Sequence, residues 1–275
     1  MKGRIILATS KNKTKQKVKT ASKKSKPISK QANLKKKKIR LKILKWTSLF
    51  ILIIGAIIAF LLSDLFNIKQ IKVTQNSKIS EQEIINLSGL KTNENMFKYL
   101  TLNVKEKIKT NPYIEDVKIH RKLDGTIEIN VKERVATYML LLENGQYAYI
   151  NNQGYILEIN QEKLQLPTIT GYITQNIEPG NRLDVEDLQK LNTVIQIMNA
   201  AKEKNLAEKI TDINIEDDTD FLITMESENK LIHFGDNTSV NEKFVKLKAV
   251  LADTVGQKGE IFVKNINKIY FRKEV

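Results

Sequence analysis

The pattern of apolar and polar positions changes character along the 275 residues. Trp46–Leu62 is a run of seventeen residues without a charge. Carried on to Phe66, the segment WTSLFILIIGAIIAFLLSDLF has twenty-one residues, with Asp64 near one end. A helix of that length spans roughly 30 Å, the thickness of a bilayer core. It has no polar stripe of the kind a buried core helix keeps, and Trp46 suits a membrane–water interface. The pattern predicts a transmembrane helix over 46–66. The apolar run is longer than the ~7–15 residues of a signal peptide, and no small-residue cleavage site follows it.

Beyond the span the periods are short and mixed. Ile68–Val73 alternates weakly and predicts a strand. Ser80 and Glu83 have the spacing of a capping box, Ile79 and Ile84 that of a hydrophobic staple, and Gly89 suits a helix end. Phe97, Leu100, Val104 and Ile108 recur at helical spacing until Asn111-Pro112, since the residue before proline avoids the α region. Val117 and Ile119, then Ile127, Ile129 and Val131, alternate on either side of Asp124-Gly125, a strong hairpin signal. The order β-α-α-β-β gives one sheet face covered by two helices over 67–135.

Residues 136–275 read as a second mixed α+β unit. Strands are expected at Tyr138–Leu142 and Tyr147–Ile150 around Asn144-Gly145, and at Tyr155–Ile159. A helix over about Val185–Asn205 would show Leu188, Leu191, Ile195 and Met198 on one face. Strands at Ile210–Ile215, Phe221–Met225 and Lys230–Phe234 follow, then a helix over Ser239–Val255 with Val240, Phe244, Leu247 and Leu251. Short strands at Ile261–Val263 and Lys268–Arg272 come last. The fold class is α+β: one transmembrane helix, a β-α-α-β-β domain and a second mixed domain.

Charge then sets the topology. Residues 1–45 hold sixteen Lys and two Arg with no Asp or Glu, so the tail carries +18. Of the 46 basic residues 28 remain, against 31 acidic ones, so the formal +15 belongs to the tail alone. Basic residues beside a span stay cytoplasmic, which places 67–275 outside. Such a tail is expected to be disordered. Lys35, Lys36, Lys37 and Lys38 sit beside the membrane and suit anionic lipid headgroups. No aromatic is interleaved before Trp46, so nothing offers a base a stacking platform and no nucleic acid is expected.

Candidate chemistry thins out on inspection. Ser227-x-x-Lys230 has the spacing of penicillin-binding enzymes, but it falls between two strands and no K-T-G exists. Ser10-x-x-Lys13 lies in the tail. The acids Glu216, Asp217, Asp218 and Asp220 lack the EF-hand glycine and glutamate in register and read as solvated turn residues. His120 and His233 have no second His, Cys or carboxylate at ligand spacing. There are no cysteines, which fits an exported domain without disulfides and removes any catalytic thiol. No catalytic, cofactor or metal residue, and no small-molecule substrate, is inferred.

Residues 67–135 resemble a POTRA domain of the FtsQ/DivIB bacterial cell-division family. The stretch NPYIEDVKIHRKLDGTIEINVKERVA carries the likeness, with Pro112, Arg121, Glu133, Arg134 and Ala136 matching. Asp124-Gly125 and Gln75-Asn76 depart from the family's usual proline turn and Gly-Asn, but both still suit turns. YAYINNQGYILEI followed by LPTITGY is similar to the start of the family's β-domain, with Asn151 where an aspartate is usual. The resemblance implies a non-enzymatic divisome scaffold, concentrated at the septum, that binds FtsB/DivIC-like and FtsL-like bitopic coiled-coil proteins and helps control septal peptidoglycan synthesis. It also implies that a partner adds a strand to the last strand of the β-domain, which matches Lys268, Ile269, Tyr270, Phe271 and Arg272. The chain closes three residues later, so no C-terminal extension is expected. An exported POTRA-type assembly protein of a sporulation or secretion complex is the alternative.

Overall fold

The computed structural model describes residues 30–274. Residues up to Ala59 and residues from Phe60 form separate units. Helix α1 runs Lys30–Leu61. Over Lys36–Leu61 it is long and apolar enough to cross a membrane. It starts earlier than the expected span, so residues 30–45 are helical rather than disordered. Lys, Arg, Leu and Gln are good helix formers, and the apolar run supplies a nucleus from which helix propagates backwards. The rest of the tail, with Ser10 and Lys13, lies outside the described residues. The helix also stops short of Phe66. Ser63 Oγ donates to Phe60 O at 2.7 Å, and Asp64–Phe66 forms a separate 3-10 turn.

The first sheet contains β1 (Gln70–Thr74), β2 (Ile114–Arg121) and β3 (Thr126–Glu133), in the order β1-β3-β2. β1 runs parallel to β3, with Ile71 beside Ile127 and Val73 beside Ile129, and β2 pairs antiparallel. α2 (Glu81–Ser88) and α3 (Thr101–Ile108) supply the helical cover. Ser80 Oγ accepts from Glu83 N at 3.2 Å, and Gly89 closes α2 in the left-handed region at φ 66°. The capping box is half made, because the Glu83 carboxylate accepts from Asn111 Nδ2 instead of the Ser80 amide. Ile79 and Ile84 are both buried, as a staple requires.

The helix expected from Phe97 begins only at Thr101. Met96–Lys98 is a 3-10 turn capped by Asn95, which leaves Leu100 exposed and Phe97 at the surface, while Val104 and Ile108 enter the core. Glu133, the last residue of β3, and Arg134 after it tie the end of that strand back into the first domain. Glu133 accepts backbone N–H bonds from Ser77, Lys78 and Ile79 at 3.1, 2.8 and 3.0 Å. Arg134 Nη1 donates to Pro112 O and Ile114 O at 2.8 and 2.7 Å.

The second sheet has nine strands: β4 (Tyr138–Leu141), β5 (Tyr147–Ile150), β6 (Ile156–Asn160), β7 (Thr168–Thr170), β8 (Asp212–Asn214), β9 (Phe221–Met225), β10 (Lys230–Gly235), β11 (Gly259–Phe262) and β12 (Tyr270–Lys273). Their order is β12-β11-β10-β9-β8-β7-β4-β5-β6. α4 (Val185–Glu203) crosses from β7 to its parallel neighbour β8, and α5 (Val240–Asp253) from β10 to its parallel neighbour β11. Both helices pack on one core with Ile169, Ile213, Ile223, Ile232 and Ile261. The buried face of α4 is centred on Leu191, Val194, Ile197 and Ala201. Of the residues expected there, Leu188, Ile195 and Met198 are only partly buried.

β6, at one sheet edge, meets the first domain. Leu157 joins that domain's core. Glu158 accepts from the Tyr113 hydroxyl at 2.8 Å and pairs with Lys78 Nζ at 3.2 Å. Burial pushes the Glu158 carboxyl up, but Tyr113, Asn160 and Lys78 outweigh it and hold it below its ordinary value. A depressed carboxylate contributes stability above its unfolded pKa and loses it as pH falls through the lower folded value. Acidification below the ordinary glutamate value of 4.5 should therefore loosen this junction, read as faster amide exchange at Tyr113 and Glu158. In Glu158→Gln that acid-linked change should be absent.

Candidate protein-binding edge

β12 is the other end of the nine-stranded sheet. It pairs antiparallel with β11, in the register Phe262–Tyr270, Ile261–Phe271, Glu260–Arg272 and Gly259–Lys273. Its second edge faces no strand among the described residues, so its backbone N–H and C=O groups on that side remain open. Period-two alternation sorts its side chains. Phe271 is partly buried against the core, Tyr270 is 47% exposed and Arg272 is exposed. Of the five residues singled out in sequence, Tyr270, Phe271 and Arg272 lie in the strand. Lys268 and Ile269 precede it, in a turn closed by Lys268 N donating to Asn265 O at 3.0 Å. Ile269 still packs on the core.

The face opposite the helices carries an aromatic ladder across three strands. The His233 ring stacks on Phe262 at 4.2 Å and Phe262 stacks on Tyr270 at 4.5 Å, with interplanar angles of 8° and 10°. The Arg272 guanidinium lies 5.1 Å from the Phe262 ring and pairs with Glu260. His233 Nδ1 sits 3.0 Å from Asp220 Oδ2, which also pairs with Lys264 Nζ at 3.3 Å, and Asp220 Oδ1 accepts from Gly235 N at 3.1 Å. Asp220 is therefore a fixed cross-strand tie rather than the solvated turn acid expected. Asp217 does cap its own turn, accepting from Thr219 N at 2.9 Å. Folding thus brings carboxylates to His233 that sequence spacing did not. Among the described residues no three His, Cys, Asp or Glu side chains could hold a metal ion.

Two residues that support β12 escaped the sequence reading. Lys230, buried in β10, donates to Glu228 O and Thr254 O at 3.1 Å and to Gln257 O, and its amine lies 5.3 Å from the Phe271 ring. Burial lowers its pKa against the opposing pull of Glu228. Ser227 sits in the 3-10 turn before it, so Ser227-x-x-Lys230 forms a turn and a strut. At Gly259 an added Cβ would collide with Arg272 O and come within 2.7 Å of the Phe271 ring. Only a glycine lets β12 lie this close. A glycine opening an apolar strand is the available signal for such close backbone approach.

On the membrane side, Lys36, Lys37 and Lys38 are exposed on α1, and Lys35 lies in the same helix. The chain is thus a POTRA-type protein, with one helix long and apolar enough for a membrane, a small sheet and a β-rich second domain. The family "POTRA domain, FtsQ-type" matches residues 66–134, and "FtsQ/DivIB, C-terminal related" matches residues 138–275. The chain belongs to the FtsQ/DivIB family of cell division proteins, which is a scaffold type rather than a known enzyme family. It is 32% identical to cell division protein DivIB of Clostridium tetani over 68% of this chain and 70% of that protein. It is 38% identical to DivIB of Clostridium acetobutylicum over 54% of this chain and 60% of that one. It is 25% identical to FtsQ of Syntrophotalea carbinolica over 51% of this chain and 50% of that one.

Gly259→Ala should displace β12 while leaving the rest of the sheet folded. The expected result is about tenfold or faster amide exchange at Tyr270–Lys273, with exchange in β9 unchanged.

Proposed function

We propose that this protein is a non-enzymatic, membrane-anchored scaffold of the division machinery that captures an extended segment of a bitopic division protein along β12. The observation that carries the reading is the open edge of β12, a terminal strand flanked by exposed Tyr270 and Arg272. A strand laid on this edge satisfies the free backbone groups, and alternate side chains supply selectivity. Tyr and Arg are common interface anchors. FtsB/DivIC-like and FtsL-like proteins are the partners in this reading, and through them the scaffold takes part in the control of septal peptidoglycan synthesis. Residues 1–45 form the cytoplasmic tail, with Lys35–Lys38 against anionic headgroups. α1 crosses the membrane, 67–135 form the POTRA domain and 136–275 the partner-binding domain outside.

Orientation and binding are separately testable. With no native cysteine, one Cys placed at Asn144 should react with a membrane-impermeant maleimide in intact cells, and one at Lys36 should not. The reverse pattern overturns the orientation. Tyr270→Ala with Arg272→Ala should weaken binding of the FtsB/DivIC-like ectodomain by about tenfold or more, with the circular dichroism spectrum unchanged. A folded double variant of undiminished affinity removes β12 as the docking strand. A functional fluorescent fusion spread evenly around the membrane of dividing cells removes the septal role and favours another exported assembly.

A further inference from the structure

The first domain has an apolar foot beside the point where the chain leaves α1. Asn95 is 3% exposed, and its amide donates to both Leu61 O and Ser63 O at 2.9 Å, while its Oδ1 accepts from Phe97 N at 2.9 Å. One buried side chain thus joins Leu61 and Ser63 to the turn at 96–98. Phe66 sits between Phe60 and Phe97, with both ring pairs edge-on at 5.3 Å. Asn67 bridges to Asn95. The tip of the β2–β3 hairpin is held to the same place, because Lys69 N donates to Gly125 O at 2.8 Å and a Cβ on Gly125 would lie 2.8 Å from Lys69 Cγ.

Three leucines project into solvent from this end. Leu65 is 69%, Leu100 67% and Leu123 88% exposed. None contributes to either core. Exposed Lys69 and Lys98 stand among them, and Arg121 lies 5.7 Å from the Phe97 ring. Single exposed leucines are ordinary, but several gathered at one end of a domain mark an interaction surface. The apolar part of α1 runs to Leu61, and Leu65 follows it four residues later in the chain.

We infer that this end of the POTRA domain docks on the bilayer surface, with Leu65, Leu100 and Leu123 entering the headgroup–acyl boundary and Lys69 and Lys98 meeting anionic headgroups. The occupant is lipid because Leu65 follows the apolar part of α1 in the chain and is tied to the other two tips through Asn67, Asn95 and Lys69, while exposed Lys69 and Lys98 stand beside the leucines together with the acids Asp64 and Asp124. Docking at three points would fix the domain's tilt and with it the direction in which β12 is presented. The inference rests on α1 spanning the membrane.

The test uses the full chain in vesicles of phosphatidylglycerol and phosphatidylcholine. Leu100→Cys and Leu123→Cys, each labelled with the environment-sensitive fluorophore NBD, are compared with Ile57→Cys inside the span. Lipids with a doxyl quencher high on the acyl chain should quench the Leu100 and Leu123 labels by about twofold or more, with blue-shifted emission. Quenching at Ile57 with water-like, unquenched emission at Leu100 and Leu123 overturns the docking alone. Loss of quenching at Ile57 as well overturns both the docking and the span. Both leucines are on the surface, so the labels leave the cores intact, and a parent-like circular dichroism spectrum checks this.

Discussion

Two consecutive residues, Glu133 and Arg134, tie the end of β3 to the turn before α2 and to the start of β2. Glu133 gathers three backbone amides of the turn before α2 onto one carboxylate, and Arg134 grips two carbonyls of the segment entering β2. The same guanidinium lies 4.2 Å from the Tyr155 ring of the second domain. The Ile79 amide and the Pro112 and Ile114 carbonyls are part-buried, and orphaning them costs about 1–3 kcal/mol per group, whereas the exposed Ser77 and Lys78 amides can turn to water. The pair therefore sets the geometry at which the chain passes from the three-stranded sheet into the nine-stranded one. Tyr113, Lys78 and Glu158 close the same junction from the side, so the two sheets are coupled through these polar contacts as well as through Leu157, which enters the first domain's core.

Local signals were read well where the physics is local. The capping Ser80, the left-handed Gly89 and the Asp124-Gly125 turn depend on residues within a few positions of one another, and each is in place. The two turn departures also hold: Gln75 adopts a positive φ of 65°, and Asp124 Oδ1 accepts from Thr126 N at 2.8 Å. Asn151, standing where the family usually has an aspartate, accepts from Gln153 N and Tyr155 N, which an amide oxygen does as well as a carboxylate. The POTRA and FtsQ/DivIB likeness was legible for the same reason, because it rests on contiguous stretches.

What sequence could not supply is set by distance along the chain. The sheet order places β7 between β4 and β8, and nothing local to Thr168–Thr170 announces that. The aromatic ladder joins residues from three strands, and His233 appeared isolated only because Asp220 and Glu260 reach it through folding. At Phe97 and Leu100 the helical period was real as a pattern but misassigned as a buried face. Asn95 spends the first turn on a 3-10 segment and shifts the start of α3. Residues 30–45 are helical despite their charge, because Lys, Arg, Leu and Gln favour helix and the apolar run follows directly.

The open margin of β12 carries a further consequence. An unpaired strand margin is also a template for pairing with its own copy. Here that margin carries Arg272 and Lys273, with Lys268 just before it, and only Arg272 is matched locally, by Glu260. Charged residues on an exposed edge are one of the ways sheets avoid pairing edge to edge. Exposed Arg272 and Lys273 are thus the kind of charged edge residue that blunts edge-to-edge pairing between copies.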